Sequence, residues 1–258
     1  RVHRARGEWD SVLGLLNQAE RLPGGGPAVL LEQLAAQVHE GVYAAAVEVA
    51  TNAVSRAPGR REQVGLTAAV ARFYSGDAAG ALESAGRIVA ADPRDADAGW
   101  VRSLMALDVG ESALSAPASR EFALPAVALD AWRDLVKVHD AKKKESKEDA
   151  RKLVRLFLTA YVYEQAGWHD TAALQIEDVL KAAPGCLVAH CLLPVLWEKA
   201  GERARAIAAC ERGIAACKGV SYGQLVLGDL LLLERKVAEA RAAYAECSAG
   251  EGEPFNAR

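Results

Sequence analysis

The stretch that decides the fold is LFLTAYVYEQAGWHDTAALQIEDVLKAAP, residues 156–184. It holds an apolar run up to Tyr163, a glycine at Gly167, a second apolar period from Ala172, and a proline at Pro184. Apolar residues three and four positions apart form one face of an α-helix, while glycine permits a tight turn and proline ends a helix. The stretch therefore predicts two α-helices joined by a short turn.

The same pattern recurs at a spacing of 34 residues. Gly201 lies 34 residues after Gly167, and a small residue stands five positions after each turn position. Two helices approach closely only where the side chains at their crossing are small. A fixed period of this length in a helical chain is typical of a solenoid of stacked helix-turn-helix repeats. The predicted crossing residues are Ala46, Ala81, Ala172, Ala206 and Ala240.

This pattern resembles the tetratricopeptide repeat, and the resemblance covers most of the chain. It implies an all-α fold, a right-handed superhelix of helix-turn-helix repeats of 34 residues, in one array over residues 1–258. We expect a half repeat at 1–26, repeats at about 27–60, 62–95, 96–140 with an insertion, 153–186, 187–220 and 221–254, and a charged extension at 141–152.

Three places depart from the regular repeat. Gly110 and Gly167 lie 57 residues apart, which is 23 more than one repeat. We expect a delayed second helix at about 124–138, followed by an overlong helix that begins in the charged run near Lys142 and continues to residue 166. Pro194 falls inside a first helix, where it should remove one backbone hydrogen bond and kink the helix. Arg235 replaces glycine at the last turn position.

Composition and motifs exclude several classes of protein. The formal net charge is −3, which gives no electrostatic reason to expect nucleic acid. The sequence has no uninterrupted apolar run of membrane-spanning length. It has no G-x-S-x-G, no H-E-x-x-H and no Walker loop, so we predict no enzyme, no catalytic residue and no cofactor.

The cysteines predict neither a disulfide framework nor a metal site. There are five of them, an odd number, and none forms a C-x-x-C pair. A free cysteine commonly behaves as a small buried hydrophobe. The pattern favours a reducing compartment and hence the cytoplasm, although the removal of a signal or anchor stays open. The cysteines are Cys186, Cys191, Cys210, Cys217 and Cys247.

The resemblance also implies a binding groove, because first helices line the concave face of a tetratricopeptide array. An exposed apolar groove with two aromatic residues suits a peptide or helix. The alternative is that tight winding buries these side chains as ordinary core. The implied groove residues are Leu31, Ala35, Val38, Gln63, Leu66, Val70, Trp100, Leu104, Phe157, Tyr161, Val195, Glu198, Leu225 and Asp229.

The expected function is a protein-protein interaction scaffold or adaptor. It would bind a peptide, a helix or a protein surface in the concave groove, as part of a larger assembly. The abundance of Ala, Gly and Arg favours a GC-rich, bacterial genome. Two alternatives stay open: a ligand- or peptide-sensing regulatory domain of a larger protein, and a self-associating structural array.

Overall fold

The computed structural model describes residues 7–20, 26–56, 61–93, 95–109, 144–217 and 222–249. Twelve α-helices and no strand occur in these ranges, so the all-α prediction is confirmed there. The helices are α1 (Trp9–Glu20), α2 (Pro27–His39), α3 (Tyr43–Arg56), α4 (Arg61–Tyr74), α5 (Ala78–Ala91), α6 (Ala96–Val109), α7 (Lys144–Gln165), α8 (His169–Ala182), α9 (Leu187–Lys199), α10 (Arg203–Ala216), α11 (Tyr222–Leu233) and α12 (Val237–Ala249).

The predicted turns share one backbone geometry. At Gly201 the backbone has φ 84°, in the left-handed region that glycine enters without a steric cost. The Gly201 amide donates to the Glu198 carbonyl at 2.8 Å, and the Glu202 amide donates to the Trp197 carbonyl at 2.9 Å. This pair of bonds is a Schellman motif, which satisfies carbonyls at the end of a helix. The same motif and a positive φ occur at Gly41, Gly76, Gly167 and Arg235.

The predicted crossing residues are buried. The alanines five positions after the turns have an exposed fraction of 0 %, so no other atom has room between the paired helices there. The prediction that a small, tightly packed residue stands five positions after each turn is therefore confirmed at all five positions. They are Ala46, Ala81, Ala172, Ala206 and Ala240.

The chain divides into two compact units. Unit 1 comprises Arg1–Phe122 and Lys142–Trp168, and unit 2 comprises Ala123–Ala141 and His169–Arg258. The described helices of unit 1 are α1 to α7, and those of unit 2 are α8 to α12. From α1 to α6, and again from α8 to α12, each helix packs against the next in the chain. This is the stacking of helix pairs that the tetratricopeptide pattern predicts.

The predicted departures at the insertion and at Pro194 have different outcomes. The overlong helix is present as α7, Lys144–Gln165. The delayed second helix at about 124–138 lies outside the described residues, and the exact division into repeats and the single array stay predictions. Helix α9 continues from Leu187 to Lys199 with buried Pro194 inside it. Among the described helices, none is both long and apolar enough to cross a membrane.

Candidate partner-binding faces

In unit 1, α7 lies against three first helices at once. It packs on α2, α4 and α6, whereas a repeat in a regular solenoid contacts only its neighbours. Trp100 of α6 meets Phe157 of α7 edge to face, with ring centroids 5.8 Å apart and an interplanar angle of 81°. Helix α7 therefore covers the face on which the resemblance placed a groove.

Polar contacts fix the middle and the far end of α7. The Tyr74 hydroxyl donates to the Arg155 carbonyl at 2.7 Å and lies 2.9 Å from the Thr159 hydroxyl. The Tyr163 hydroxyl lies 2.7 Å from Nδ1 of His39. Burial raises the pKa of Tyr74 and of Tyr163, so both phenols stay protonated at neutral pH and serve as hydrogen-bonding groups. These contacts tie α7 to α2 and α4.

A buried carboxylate holds α7 to α6. Asp108 of α6 has a side chain that is only 8 % exposed, and its Oδ1 lies 3.5 Å from Nε of Arg155. Nε of Arg151 donates to the Asp108 backbone carbonyl at 3.1 Å. The Asp108 carboxylate is buried while Arg155 is 58 % exposed, so the pair gives a buried charge a partner at the edge of the α6–α7 contact.

An aromatic cluster lies where α1, α2 and the end of α7 meet in unit 1. Trp9 of α1 stacks on His39 with centroids 3.8 Å apart, and lies 5.6 Å from Trp168. The Trp168 indole N–H donates to Oε2 of Glu32 at 3.3 Å. Desolvation lowers the pKa of His39, against a smaller upward effect of Glu40. The cluster joins α1, α2 and the end of α7 into one packed surface.

The structure places eight of the fourteen predicted groove residues in the packed interior of unit 1. This arrangement agrees with the second of the two alternatives, because α7 packs on α2, α4 and α6 and the eight side chains are buried. Contact with a partner stays a prediction for all fourteen positions. The eight are Leu31, Ala35, Val38, Leu66, Val70, Leu104, Phe157 and Tyr161.

The other six keep accessible surface. In unit 1, Gln63 is exposed and Trp100 is half-buried. In unit 2, Val195 and Leu225 are half-buried, while Glu198 and Asp229 are exposed. The predicted positions are thus covered in unit 1 and partly open in unit 2.

The open face of unit 2 combines an apolar strip with carboxylates. Its first helices α9 and α11 pack beside each other and present Val195 and Leu225. The Tyr244 hydroxyl donates to Oδ1 of Asp229 at 2.6 Å, and this bond raises the pKa of Tyr244 to about 12. Asp229 is therefore positioned by α12, and its charge lies beside the apolar strip.

The thiols of unit 2 are poorly suited to metal binding or nucleophilic chemistry. Burial raises the pKa of Cys191 and of Cys210 to about 12, so both stay as neutral thiols at neutral pH. All five cysteines are free. In the part of the chain that the structure describes, no three His, Cys, Asp or Glu side chains lie close enough together to hold a metal ion.

No protein-family model matches the sequence, and no curated protein matches it either. Solved structures of tetratricopeptide repeat proteins are similar to the chain at low sequence identity. A tetratricopeptide repeat protein from Parabacteroides merdae is 16% identical, with a TM-score of 0.37, over 98% of this chain and 90% of its own. A thermophilic tetratricopeptide protein from Thermus thermophilus is 19% identical, with a TM-score of 0.37, over 75% of this chain and 93% of its own.

A third match is the TPR2AB domain of yeast Sti1, solved in complex with pHSP90. It is 14% identical, with a TM-score of 0.38, over 98% of this chain and 88% of its own. At these values the likenesses support no conclusion about fold or function. The fold assignment rests on the repeated Schellman turns and buried crossing alanines of the chain itself.

Proposed function

We propose that the chain is a protein-interaction scaffold without catalysis, and that the first-helix face of unit 2 binds a peptide or helix of a partner. The observation that supports this most directly is the partial exposure of Val195 and Leu225, two aliphatic side chains on adjacent first helices. Aliphatic groups left accessible on adjacent helices suit the apolar stripe of a peptide or an amphipathic helix.

The charge of this face indicates the kind of partner. Glu198 and Asp229 are exposed on the same two first helices and are acidic. Electrostatic complementarity then favours a segment that carries Lys or Arg next to aliphatic residues. A strongly acidic segment would meet like charge and bind less well.

Selection from a displayed library of 16-residue helical peptides tests the proposal. We expect the full chain to enrich peptides with Lys or Arg beside aliphatic residues. Binding of these peptides should fall at least about tenfold in the double variant Glu198→Lys/Asp229→Lys, since close charge pairs contribute more than about 1.4 kcal/mol when desolvated. The matched control is Ala208→Lys, at an exposed position of α10.

Two outcomes would contradict the proposal. One is that wild type enriches no peptide above background. The other is that the double variant and Ala208→Lys retain the same peptides with the same affinity, which would show that the face is not involved.

A further inference from the structure

Asp229 of α11 stands at a position that is apolar in the other first helices. It lies six positions before the turn residue Arg235, as Val195 lies six positions before Gly201. The last first helix therefore carries a carboxylate where the repeat pattern has an apolar side chain. The equivalent residues are Ala35 in α2, Val70 in α4, Leu104 in α6, Tyr161 in α7 and Val195 in α9.

Tyr244 of α12 holds this carboxylate from the neighbouring helix. Its hydroxyl donates to Oδ1 of Asp229 at 2.6 Å, and its ring packs against the apolar core that Leu231 and Ala240 form between α11 and α12. Because the ring is fixed by the core, the hydroxyl and the carboxylate bonded to it are fixed as well. The equivalent residues in the other second helices are all smaller than tyrosine: Leu16, Ala50, Ala85, Ile176 and Cys210.

Gly228 provides the space through which Tyr244 reaches Asp229. A Cβ added at Gly228 would lie 2.7 Å from Cδ1 of Tyr244, well inside the about 3.5–4.0 Å at which carbon atoms pack favourably. Any other residue at this position would therefore displace the ring and its hydroxyl. The equivalent residues all have a Cβ: Leu34, Ala69, Ser103, Ala160 and Pro194. The glycine, the tyrosine and the aspartate occur together in the last repeat and in no earlier one.

The bond from Tyr244 orients the Asp229 carboxylate without neutralising it. The same bond raises the pKa of Tyr244 to about 12, so the phenol is a neutral donor and the pair keeps the negative charge. Asp229 is exposed, and it forms no ion pair with any residue in the described ranges. Leu225 lies one helical turn before it, on the same face of α11. An oriented, unpaired carboxylate thus lies next to accessible aliphatic groups.

We propose that Asp229 is the specificity-determining residue of the unit 2 face. It receives one Lys or Arg side chain of the bound segment, while Val195 and Leu225 contact the aliphatic side chains of that segment. Tyr244 is a positioning residue that acts through Asp229. The inference rests on the proposed function and makes it more specific, because it requires the cation at one fixed position of the segment. Orienting the carboxylate before binding reduces the entropy that binding costs.

Selection from the displayed library of 16-residue helical peptides on the full chain is the first test. We expect Lys or Arg at one fixed position of the enriched peptides. Asp229→Asn keeps an acceptor for the Tyr244 hydroxyl and removes only the charge, so affinity should fall about tenfold with little change in melting temperature. Glu198→Gln is the matched control on the same face. Glu198 makes no side-chain hydrogen bond within the described ranges, and its change should lower affinity about twofold or less.

Tyr244→Phe isolates the positioning role, since it keeps the ring and removes the hydroxyl. Affinity should fall about threefold for an enriched peptide and stay unchanged for the same peptide with alanine in place of its Lys or Arg. A purely structural role would weaken both peptides equally. In Asp229→Lys, a peptide whose Lys or Arg is replaced by Glu should bind more tightly than the original peptide does.

Thermal melts check that each variant folds; if Tyr244→Phe does not, Asp229→Asn and the charge exchange decide. The inference is overturned if aliphatic peptides bind without a cation at a fixed position, or if Asp229→Asn and Glu198→Gln have equal effects. In both cases the unit 2 face still binds peptides and the proposed function stands. If wild type enriches no peptide at all, the proposed function fails, and the role of Asp229 fails with it.

Discussion

The first-helix faces of units 1 and 2 share the same repeat pattern but differ in the exposure of their side chains. In unit 1 the side chains Leu31, Leu66 and Leu104 are 0–1 % exposed, and α7 packs on the three helices that carry them. In unit 2 the equivalent helices leave Val195 and Leu225 partly accessible. The difference shows that an apolar first-helix face is accessible to a partner only where no other helix of the chain packs on it.

Polar side chains, and not length alone, distinguish α7 as the cover of the unit 1 face. It has 22 residues and spans about 33 Å, while the other described helices have 12 to 14 residues and span about 18–21 Å. Three first helices about 8–10 Å apart require a crossing element of about 16–20 Å, so the ordinary helices are also long enough. Helix α7 carries in addition the polar groups that bond to α2, α4 and α6.

The largest expected effect comes from removing a side chain of the cover. Phe157→Ala should lower the free energy of unfolding of unit 1 by about 3–5 kcal/mol, because it leaves a cavity against Trp100. Urea unfolding followed by tryptophan fluorescence and by amide hydrogen exchange measures the loss. The matched change in unit 2, Leu225→Ala, should cost about 1 kcal/mol or less, because that side chain is only half-buried. Equal losses would contradict the contrast between a covered and an open face.

The next largest effect is expected at a helix crossing, a feature that both units share. Ala206→Leu should destabilise by about 1–3 kcal/mol, because it overpacks a helix crossing with an exposed fraction of 0 %. Ala208→Leu, two residues away on the exposed side of α10, should change stability by less than about 0.5 kcal/mol. A melt that Ala206→Leu leaves unchanged would show that the crossing has been placed wrongly.

A smaller effect is expected at the last turn of unit 2. Arg235 has φ 60°, which costs a residue with a Cβ about 1 kcal/mol relative to glycine. Arg235→Gly should therefore stabilise the α11–α12 pair by about 1 kcal/mol, as measured by hydrogen exchange of the α12 amides. Gly201→Arg is the reciprocal control and should destabilise its turn by a similar amount. A destabilising Arg235→Gly would mean that Arg235 makes a contact that outweighs the backbone cost.

The smallest effect concerns pH in unit 1. The folded state lowers the pKa of His39 from 6.5, so the unfolded chain binds a proton first as the pH falls. Stability should be at its full value above about pH 6.5 and decrease below it, down to the folded pKa. Urea unfolding of wild type and His39→Gln between pH 7.5 and 5 isolates this contribution. The opposite slope would mean that the Trp9 ring stabilises the imidazolium more than desolvation opposes it.

The sequence predicts the local parts of the fold well. The turn at Gly201 and the crossing at Ala206 lie five positions apart, so both depend on local sequence. Their recurrence every 34 residues makes them recognisable. The cover on unit 1 could not be found in this way, because Phe157 has the same helical spacing whether it faces a partner or its own chain.

The contacts of α7 also determine how late unit 1 can complete its folding during synthesis. The His39–Tyr163 and Glu32–Trp168 bonds join residues 124 and 136 positions apart, whereas Asp229 and Tyr244 in unit 2 are 15 apart. At about 5–20 residues per second, a ribosome needs about 6–25 s to make the segment between His39 and Tyr163. During that interval the leucines of α2 and α4 are not yet covered by α7, and they are then accessible to a chaperone.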